Sequence, residues 1–482
     1  MDSEVNYLVA APGRRSKSLS EGWRELCSRH LPVAPAGSVW RYSRVRGLLD
    51  PEQGWKLHVS ATVLTANEVL RRVGPFLQSR GVMFKGPASL QELGRLNSGL
   101  FYGYTQVGKC LSVYPRTDEE AVSLAEALHE LTRGVHGPSV PFDLRYREGG
   151  CVYYRYGAFT RQEIQEGDGA PALALRDPEG RLVPDSRESP AGKPDWVSDP
   201  FARAREGPPP APTPLKTTYR VFRALTQRGK GGVYQAVDLS VRPPRLCILK
   251  EGRRHGEPDW RGRDGYWRVK NERKNLRALR AAGVEVPRVY SSFEAGGHFY
   301  LVTEFVEGVS LQESLRGRER RLPVRRALLL ARQVCGLLAR IHEAGWVWRD
   351  CKPSNLLVTK SGALRPLDFE GACPSGRRSR LAWLTPDFTP PEALGDPGAP
   401  ASDSDDLFPL GVTAYYLLSG ALPSDSGAAP LGKLRRNIPP EVCRLVSRLL
   451  DPDPRRRPRA RAAARQLGAV LRLYGGPDAS TA

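Results

Sequence analysis

The sequence predicts an α+β fold divided between two domains, on three observations. Its 482 residues, 40% of them apolar and including 9 Trp, 13 Phe and 17 Tyr, exceed one ordinary core and can fill two. Five prolines fall between Arg203 and Lys216, a density that disfavours helix and central strand and favours an extended spacer. Strand-like alternation and helix-like periodicity both occur on each side of that spacer. The expected organisation is a domain over residues 1–202, a linker over 203–216 and a second domain over 217–482. The spacer is expected to make the two domains distinct folding units.

Composition narrows the class further. The net charge of +21 comes from 60 Arg and only 13 Lys, which is compatible with anionic partners in general. The arginines are scattered, as in Arg455-Arg456-Arg457, with no repeated aromatic–basic pattern. That argues against nucleic acid as partner and for a solvated surface, with a functional basic face as the alternative. Arginine stays protonated, whereas lysine can surrender its proton, so the few lysines in plausible clefts merit attention. Eight cysteines without a C-x-x-C pair indicate neither a disulfide scaffold nor a zinc knuckle. The start Met1-Asp-Ser-Glu shows no basic or apolar signal region. The longest uncharged run, Leu407 to Ser424, is interrupted by Pro409 and Pro423 and predicts a buried helix with its flanks, not a membrane span. A soluble cytoplasmic protein with reduced thiols is expected.

In the first domain, Gly54-Trp-Lys-Leu-His-Val-Ser alternates like a half-buried strand. Thr65 and Glu68 have capping-box spacing for a helix that Gly74-Pro75 is expected to end or kink. Lys109-Cys-Leu-Ser-Val-Tyr predicts a strand ending at Pro115. A helix follows over Asp118 to Thr132, with Glu119 and Glu120 in its first turn, and Val152-Tyr-Tyr-Arg-Tyr-Gly predicts another strand. The Gly-, Pro-, Asp- and Ser-rich stretch from Glu166 to Asp199 is expected to be loop.

In the second domain, eight features occur in order. Tyr219 to Val237 predicts two strands around a glycine turn, Gly229-Lys-Gly231-Gly232-Val233-Tyr, whose backbone N–H groups can approach nucleotide phosphates. Leu246-Cys-Ile-Leu-Lys250 ends an apolar strand on a lysine. Glu272 shares a helix face with Leu276 and Leu279, and a carboxylate on an apolar stripe needs a cation, for which Lys250 is the candidate. Trp348-Arg-Asp350-Cys-Lys352-Pro-Ser-Asn355 resembles the protein-kinase catalytic loop H-R-D-x-K-P-x-N. Asp368-Phe-Glu is similar to the magnesium-binding D-F-G, and Pro390-Pro-Glu392 to A-P-E. Asp406-Leu-Phe-Pro-Leu-Gly411 and Arg457 resemble the later structural motifs. The ordered set predicts a two-lobed protein-kinase-like fold.

That resemblance implies ATP or another nucleoside triphosphate, and Mg²⁺. Lys250 would hold the α/β-phosphates, paired with Glu272. The hinge around Glu304-Phe-Val306 would contact the base through backbone. Asp350 would accept the hydroxyl proton with Lys352 near the transferring phosphate, and Asn355 and Asp368 would coordinate the metal. The lysine after Asp350 follows the Ser/Thr-directed pattern. Three positions depart from the family: Trp348 for His, Glu370 for Gly, and an irregular glycine loop. The first two are not proton-transfer or metal positions; the third bears on nucleotide affinity.

Lys56-Leu-His58 is the focal point of the first domain, because a period of two sends the amine and the imidazole to one strand face. Gly54 to Ala61, Met83-Phe-Lys85-Gly, Gly108-Lys109 to Pro115, Phe142-Asp-Leu-Arg145-Tyr and Tyr154-Arg155 to Phe159 look like the lyase domain of class III and class IV lanthipeptide synthetases. D-F-E is familiar in the kinase domain of that family. The resemblance covers about residues 40–165 and 217–460. It implies phosphorylation of Ser or Thr in a precursor peptide with a leader, then elimination of phosphate to dehydroalanine or dehydrobutyrine. Lys56 would be the base and His58 the acid, by resemblance to bacterial phosphothreonine lyases. Lys85, Lys109, Arg145 and Arg155 are the phosphate-site candidates, with Lys85 and Arg145 foremost. Clustered cations favour a neutral lysine and make it a usable base.

Family members continue into a cyclase domain that has no counterpart after Tyr474 in this sequence, so a separate cyclase in trans is one expectation and dehydration as the last contribution another. Two other readings compete with the dehydratase: a regulatory Ser/Thr kinase whose N-terminal domain only senses or docks, and a pseudokinase scaffold. If the basic surface serves an acidic leader or phosphopeptide, peptide binding weakens markedly as salt shortens the Debye length below about 10 Å. Fluorescence anisotropy across a salt series checks this; salt-insensitive binding counts against a functional basic face.

Overall fold

The computed structural model describes residues 14–160, 162–165, 171–185, 193–202, 213–315, 321–378, 385–396, 399–424 and 429–473. In the N-terminal domain six antiparallel strands pair in the order β1–β3–β4–β2–β6–β5. They are β1 (Trp40–Tyr42), β2 (Gln53–Val59), β3 (Met83–Pro87), β4 (Leu111–Tyr114), β5 (Leu144–Arg145) and β6 (Val152–Ala158). One face, carrying Trp55, Leu57, Phe84, Val113 and Tyr154, is fully buried. The same core takes in residues of α1 (Arg14–His30), α2 (Ala66–Ser79), α3 (Leu90–Ser98) and α4 (Asp118–Leu131). Capping explains two helix starts: Ser89 accepts from the Glu92 N–H and Thr117 from the Glu120 N–H.

Two local expectations fail for tertiary reasons. The Thr65 side chain caps nothing; its hydroxyl accepts from Thr62 N and donates to the His136 carbonyl. Helix α2 also runs through Gly74-Pro75 to Ser79. A Cβ on Gly74 would lie 2.8 Å from the His30 ring, so this glycine admits α1 rather than stopping α2. Packing of Trp23, Leu26 and Cys27 with Val69, Leu70, Val73 and Leu77 outweighs the cost of an interior proline.

The stretch expected as loop contains two strands, β8 (Ala172–Arg176) and β9 (Leu182–Pro184), paired with β7 (Glu163–Ile164) in a small sheet. The turn between them is closed by Asp177 N donating to Arg181 O, with Gly180 at φ 80°. The Leu173-Ala-Leu175 alternation and the Asp-Pro-Glu-Gly turn were the available signals. Most of the expected spacer lies outside the described residues, but Pro214–Thr217 forms a one-turn helix, α5, with Pro214 in its first turn.

The C-terminal domain has two lobes. Five antiparallel strands pair as β10–β11–β12–β14–β13: β10 (Tyr219–Arg228), β11 (Gly231–Asp238), β12 (Arg245–Gly252), β13 (Val289–Ala295) and β14 (His298–Glu304). Helix α6 (Gly265–Ala281), capped by Asp264, packs against that sheet through Val269, Leu276 and Leu279. The second lobe is built on α8 (Val324–Glu343), after the short α7 (Leu311–Ser314), and on α10 (Ser404–Ser419), which follows α9 (Pro391–Gly395). Leu338, Ile341, Leu410 and Leu417 are fully buried there. Among the described residues no helix is long and apolar enough to cross a membrane.

The two domains touch. The Gly229 N–H donates to the Ser98 carbonyl at 2.9 Å, Arg253 donates to the Tyr104 hydroxyl, and the His136 and His255 rings stack 5.0 Å apart. A Cβ on Gly229 would sit 1.7 Å from the Asn97 carbonyl oxygen. Gly229→Ala is therefore expected to push the domains apart, costing about 1–3 kcal/mol as overpacking does. Thermal unfolding should show a midpoint lowered by several degrees. Gly336→Ala on α8, where a Cβ meets only a guanidinium nitrogen 3.8 Å away, should show no loss.

Candidate active sites

The kinase-like cleft has a volume of about 360 Å³ between the two lobes. Register and helix packing bring its parts together. Lys250, on β12, reaches Glu272 of α6 at 2.6 Å and Asp368 at 3.7 Å. The Glu272 carboxylate also accepts from the Phe369 N–H at 3.1 Å. Burial opposes the charge on Lys250, but Asp368 and Glu272 outweigh it and hold its pKa above the ordinary value. Burial likewise pushes Asp368 up, yet Lys250, Lys230 and Lys352 hold it well below the usual carboxylate range. An anionic Asp368 and the amide oxygen of Asn355 are hard oxygen donors of the kind Mg²⁺ takes alongside substrate phosphates. Among the described residues no group of three His, Cys, Asp or Glu side chains forms a metal cluster by itself.

Asp350 accepts from Asn355 Nδ2 at 2.5 Å and lies 2.9 Å from Lys352 Nζ. Thr385, missed in the sequence, bridges Lys352 at 3.4 Å and Asp350 at 3.3 Å. Two turns are strained, the catalytic turn with Arg349 at φ 68° and the Asp368-Phe-Glu turn with Asp368 at φ 60°. Buried Asp406 holds the catalytic turn by accepting from the N–H groups of Trp348 and Arg349 and from His342. Trp348 itself donates its indole N–H to the Asp368 carbonyl at 2.8 Å and stacks on Phe369. The missing histidine thus leaves no gap, because the indole ties the catalytic turn to the metal turn. Arg457 forms a two-pronged pair with Glu392 at 2.6 and 2.8 Å.

Gly231, Gly232 and Val233 line the cleft. Gly231 needs to be glycine: its φ is 149° and a Cβ would lie 1.8 Å from the Glu251 carbonyl oxygen. Gly229, expected to cradle phosphate, instead spends its N–H on Ser98 of the other domain. Leu100 of that domain lines the cleft too. Glu304 ends β14, with its N–H donated to Arg288 and its carboxylate accepting from the Arg288 N–H, and Val306 is buried just beyond.

In the N-terminal domain, strand register decides the site. Lys85 lies opposite Ser112, Ser112 opposite His58, His58 opposite Tyr153, and Tyr153 opposite Arg145, while Lys56 lies opposite Arg155. Directly opposed residues share a face, so Lys56, His58, Lys85, Arg145 and Arg155 stand on one side of the sheet and the apolar core on the other. Lys109 enters from the turn before β4. Asp143, which sequence reasoning passed over, accepts from His58 Nδ1 at 2.5 Å and pairs with Lys109 at 3.4 Å. The neighbouring Phe142 has φ 64°. Burial pushes Asp143 up, but His58, Lys109 and Arg155 bring it below its usual range. Burial is also the main cause that lowers His58 to about 3, with Lys109 and Lys56 adding to it against Asp143. His58 is thus a neutral imidazole whose Nδ1–H is fixed by a carboxylate.

The four candidate phosphate ligands differ. Arg155 is locked to Asp185 of the small sheet at 2.6 Å, both buried, and Lys109 is held by Asp143. Arg145 rests on Tyr153 and Ser139. Lys85 stands 4.2 Å over the Trp40 ring, and Lys56 lies 6.0 Å from Phe159. All eight cysteines are free thiols.

A sheet face crowded with cations, joined to a two-lobed domain that gathers Lys250, Glu272, Asp350, Asn355 and Asp368 as a kinase does, defines the class. Residues 28–211 match the family model described as RamC, N-terminal domain, and residues 229–467 match the protein kinase domain. The chain is a RamC-type N-terminal domain followed by a protein kinase domain, the pair and the order that the lanthipeptide-synthetase resemblance implied. A "Probable SapB synthase" of Streptomyces coelicolor is 33% identical over 79% of this chain. This chain spans 41% of that relative's length. A serine/threonine-protein kinase, pkn2, of Myxococcus xanthus is 33% identical over 51% of the chain and 31% of its own length. Serine/threonine-protein kinase PknA of Mycobacterium tuberculosis is 29% identical over 51% of the chain and 59% of its own length.

The His58 shift carries a pH consequence. Its folded pKa of about 3 lies below the ordinary 6.5, so the stability it contributes is full above pH 6.5 and is lost as pH falls toward 3. The slope is at most about 1.4 kcal/mol per pH unit for one proton. Urea unfolding at pH 6.5 and 5 should show this fall in the parent chain and a smaller one in His58→Asn. Equal slopes would show that His58 is not buried neutral.

Proposed function

We propose that this chain is a bifunctional peptide dehydratase, dividing at a linker over residues 203–216 between a phosphoSer/Thr lyase domain and a Ser/Thr kinase domain. Its substrate would be a ribosomal precursor peptide with a leader, phosphorylated on Ser or Thr and then converted to dehydroalanine or dehydrobutyrine. The observation that carries this reading is the sheet register, which gathers Lys56, His58, Lys85, Arg145 and Arg155 on one face. A docking or sensing domain has no need of a buried His–carboxylate pair beside four further cations.

In the kinase half, Lys250 would hold nucleotide phosphates while Glu272 orients it, and Asp350 would accept the hydroxyl proton of the acceptor Ser or Thr. Asn355 and Asp368 would hold Mg²⁺, which when bound offsets charge that develops on the transferring phosphoryl group. In the lyase half, Lys56 Nζ takes the α-proton, the Cα–Cβ double bond forms, and the Cβ–O bond breaks with phosphate leaving. Lys85 and Arg145 would receive that phosphate, while Lys109 and Arg155 keep the face cationic. Arg155 and Lys109, each tied to a carboxylate, serve the field rather than the first contact. His58 supplies the leaving-group proton. Its imidazole is neutral in the free chain, and a phosphoryl dianion beside it favours the protonated form that Lys56 and Lys109 oppose. The action would be cytoplasmic, with a cyclase acting in trans where rings are closed.

The similarity to pkn2 and PknA favours a second reading, a regulatory kinase with a non-catalytic N-terminal domain. Mass spectrometry of a candidate precursor peptide, incubated with the chain, ATP or GTP and Mg²⁺, separates the two. Asp350→Asn should abolish the gain of about 80 Da per phosphorylated site. Lys56→Arg keeps the positive charge but not the removable proton, so phosphopeptide should accumulate without the loss of about 18 Da that marks dehydration. Dehydration at the parent rate by Lys56→Arg removes Lys56 as base. Phosphopeptide accumulating with the unsubstituted chain favours the regulatory kinase.

A further inference from the structure

Glu370 occupies the third position of the metal turn, where the kinase pattern has a glycine without a side chain. Its carboxylate is buried and has two cationic partners on two other elements. Lys230, at the tip of the β10–β11 hairpin, donates to it at 2.6 Å. Arg268, a fully buried residue of α6, lies 3.5 Å from its other oxygen. The turn that bears Glu370 is fixed independently to α6: Asn275 donates to the carbonyls of Phe369 and Ala372 at 2.9 and 2.8 Å, and Glu272 accepts from Phe369 N. The side of Glu370 facing α6 is thus redundant with other bonds. The side facing Lys230 joins this turn to the hairpin tip.

That hairpin tip is also held at its backbone, where the Lys230 carbonyl accepts from Arg253 N at 2.8 Å and the Arg228 carbonyl from Arg253 Nη1 at 3.3 Å. Its sequence is irregular for a phosphate-cradling loop, and its first glycine gives its N–H to Ser98 of the N-terminal domain. Lys230, Gly231, Gly232, Glu370 and Asp368 all line the same cleft. We propose that Glu370 is a positioning residue for nucleotide binding, tethering the glycine hairpin over the cleft through Lys230 while Arg268 aims its carboxylate. The glutamate thereby supplies closure that the irregular glycine loop does not, and the departure at the end of the metal turn compensates the departure in the loop. Lys230 and Glu370 act as one unit in this arrangement. The inference rests on the kinase reading, since it concerns nucleotide affinity.

The experiment is a double-mutant cycle on the full chain, with calorimetric Kd for ATP with Mg²⁺ as the readout. Glu370→Gln and Lys230→Met should each raise Kd about tenfold, the scale of one charge-assisted hydrogen bond. The double variant should be no weaker than the worse single one, because both remove one tether. Glu370→Asp, which keeps the charge, should recover most of the affinity, whereas a merely structural role would show no such charge-dependent recovery. Lys230 is partly exposed, so Lys230→Met tests the tether even where a buried Glu370→Gln chain folds poorly. Unchanged Kd in both single variants, or penalties that multiply in the double, overturns the tether. A parent chain that binds no ATP with Mg²⁺ overturns the kinase reading beneath it instead.

Discussion

The C-terminal half depends on one buried carboxylate, that of Glu272. It accepts from Lys250 on the sheet and from the Phe369 N–H beside Asp368, so a single group aligns the strand, the helix and the Asp368 turn. Leaving such a carboxylate unpaired would be strongly destabilising, which makes the alignment close to all-or-none. Leu276 and Leu279 bury the same face of α6 and hold the carboxylate where its partners must come to it. The catalytic turn is secured by the same logic from the other lobe, where Asp406 gathers the N–H groups of Trp348 and the strained Arg349 together with His342.

The N-terminal half is governed by a different constraint, the two-residue period of paired strands. Once Trp55, Leu57 and Val59 commit one face to the core, Lys56 and His58 have only the other. The neighbouring strands obey the same rule, so cations widely separated in sequence arrive on one face without any local signal linking them. Such a concentration of positive charge favours phosphorylated ligands and neutral lysine. Asp143 and Asp185 keep it from being only repulsive, each pairing with a buried cation.

Between the halves lies a seam that joins the two candidate sites mechanically. Asn97 donates to Ala61 O and accepts from Gly108 N inside the N-terminal domain. Its neighbour Ser98 accepts from Gly229 of the glycine hairpin. The hairpin over the nucleotide cleft is therefore held from one side by the other domain and from the other by Glu370.

The motifs with fixed spacing were legible from sequence, because their chemistry depends on residues close along the chain. Asp350 to Asn355, Asp368, the Lys250–Glu272 pairing and the Lys56–His58 face all follow from local offsets or from an apolar stripe that needs a cation. Trp348, Thr385, Asp143 and Asp185 were not legible, since each gains its role from a partner distant in sequence. Helix α2 shows the same limit in reverse: Gly74-Pro75 reads locally as an end or a kink, and contact with His30 and the α1 core accompanies its continuation to Ser79. The Gly229 turn reads locally as a phosphate cradle, and only the approach of Asn97 and Ser98 turns its N–H elsewhere. The sequence by itself determined the order of the two domains and the candidate reactive residues, because propensity, period and motif spacing are short-range. The tertiary structure alone decided which cations stay tied to carboxylates, what replaces the missing histidine and glycine, and how the domains meet, because those depend on backbone groups that only folding brings within bonding distance.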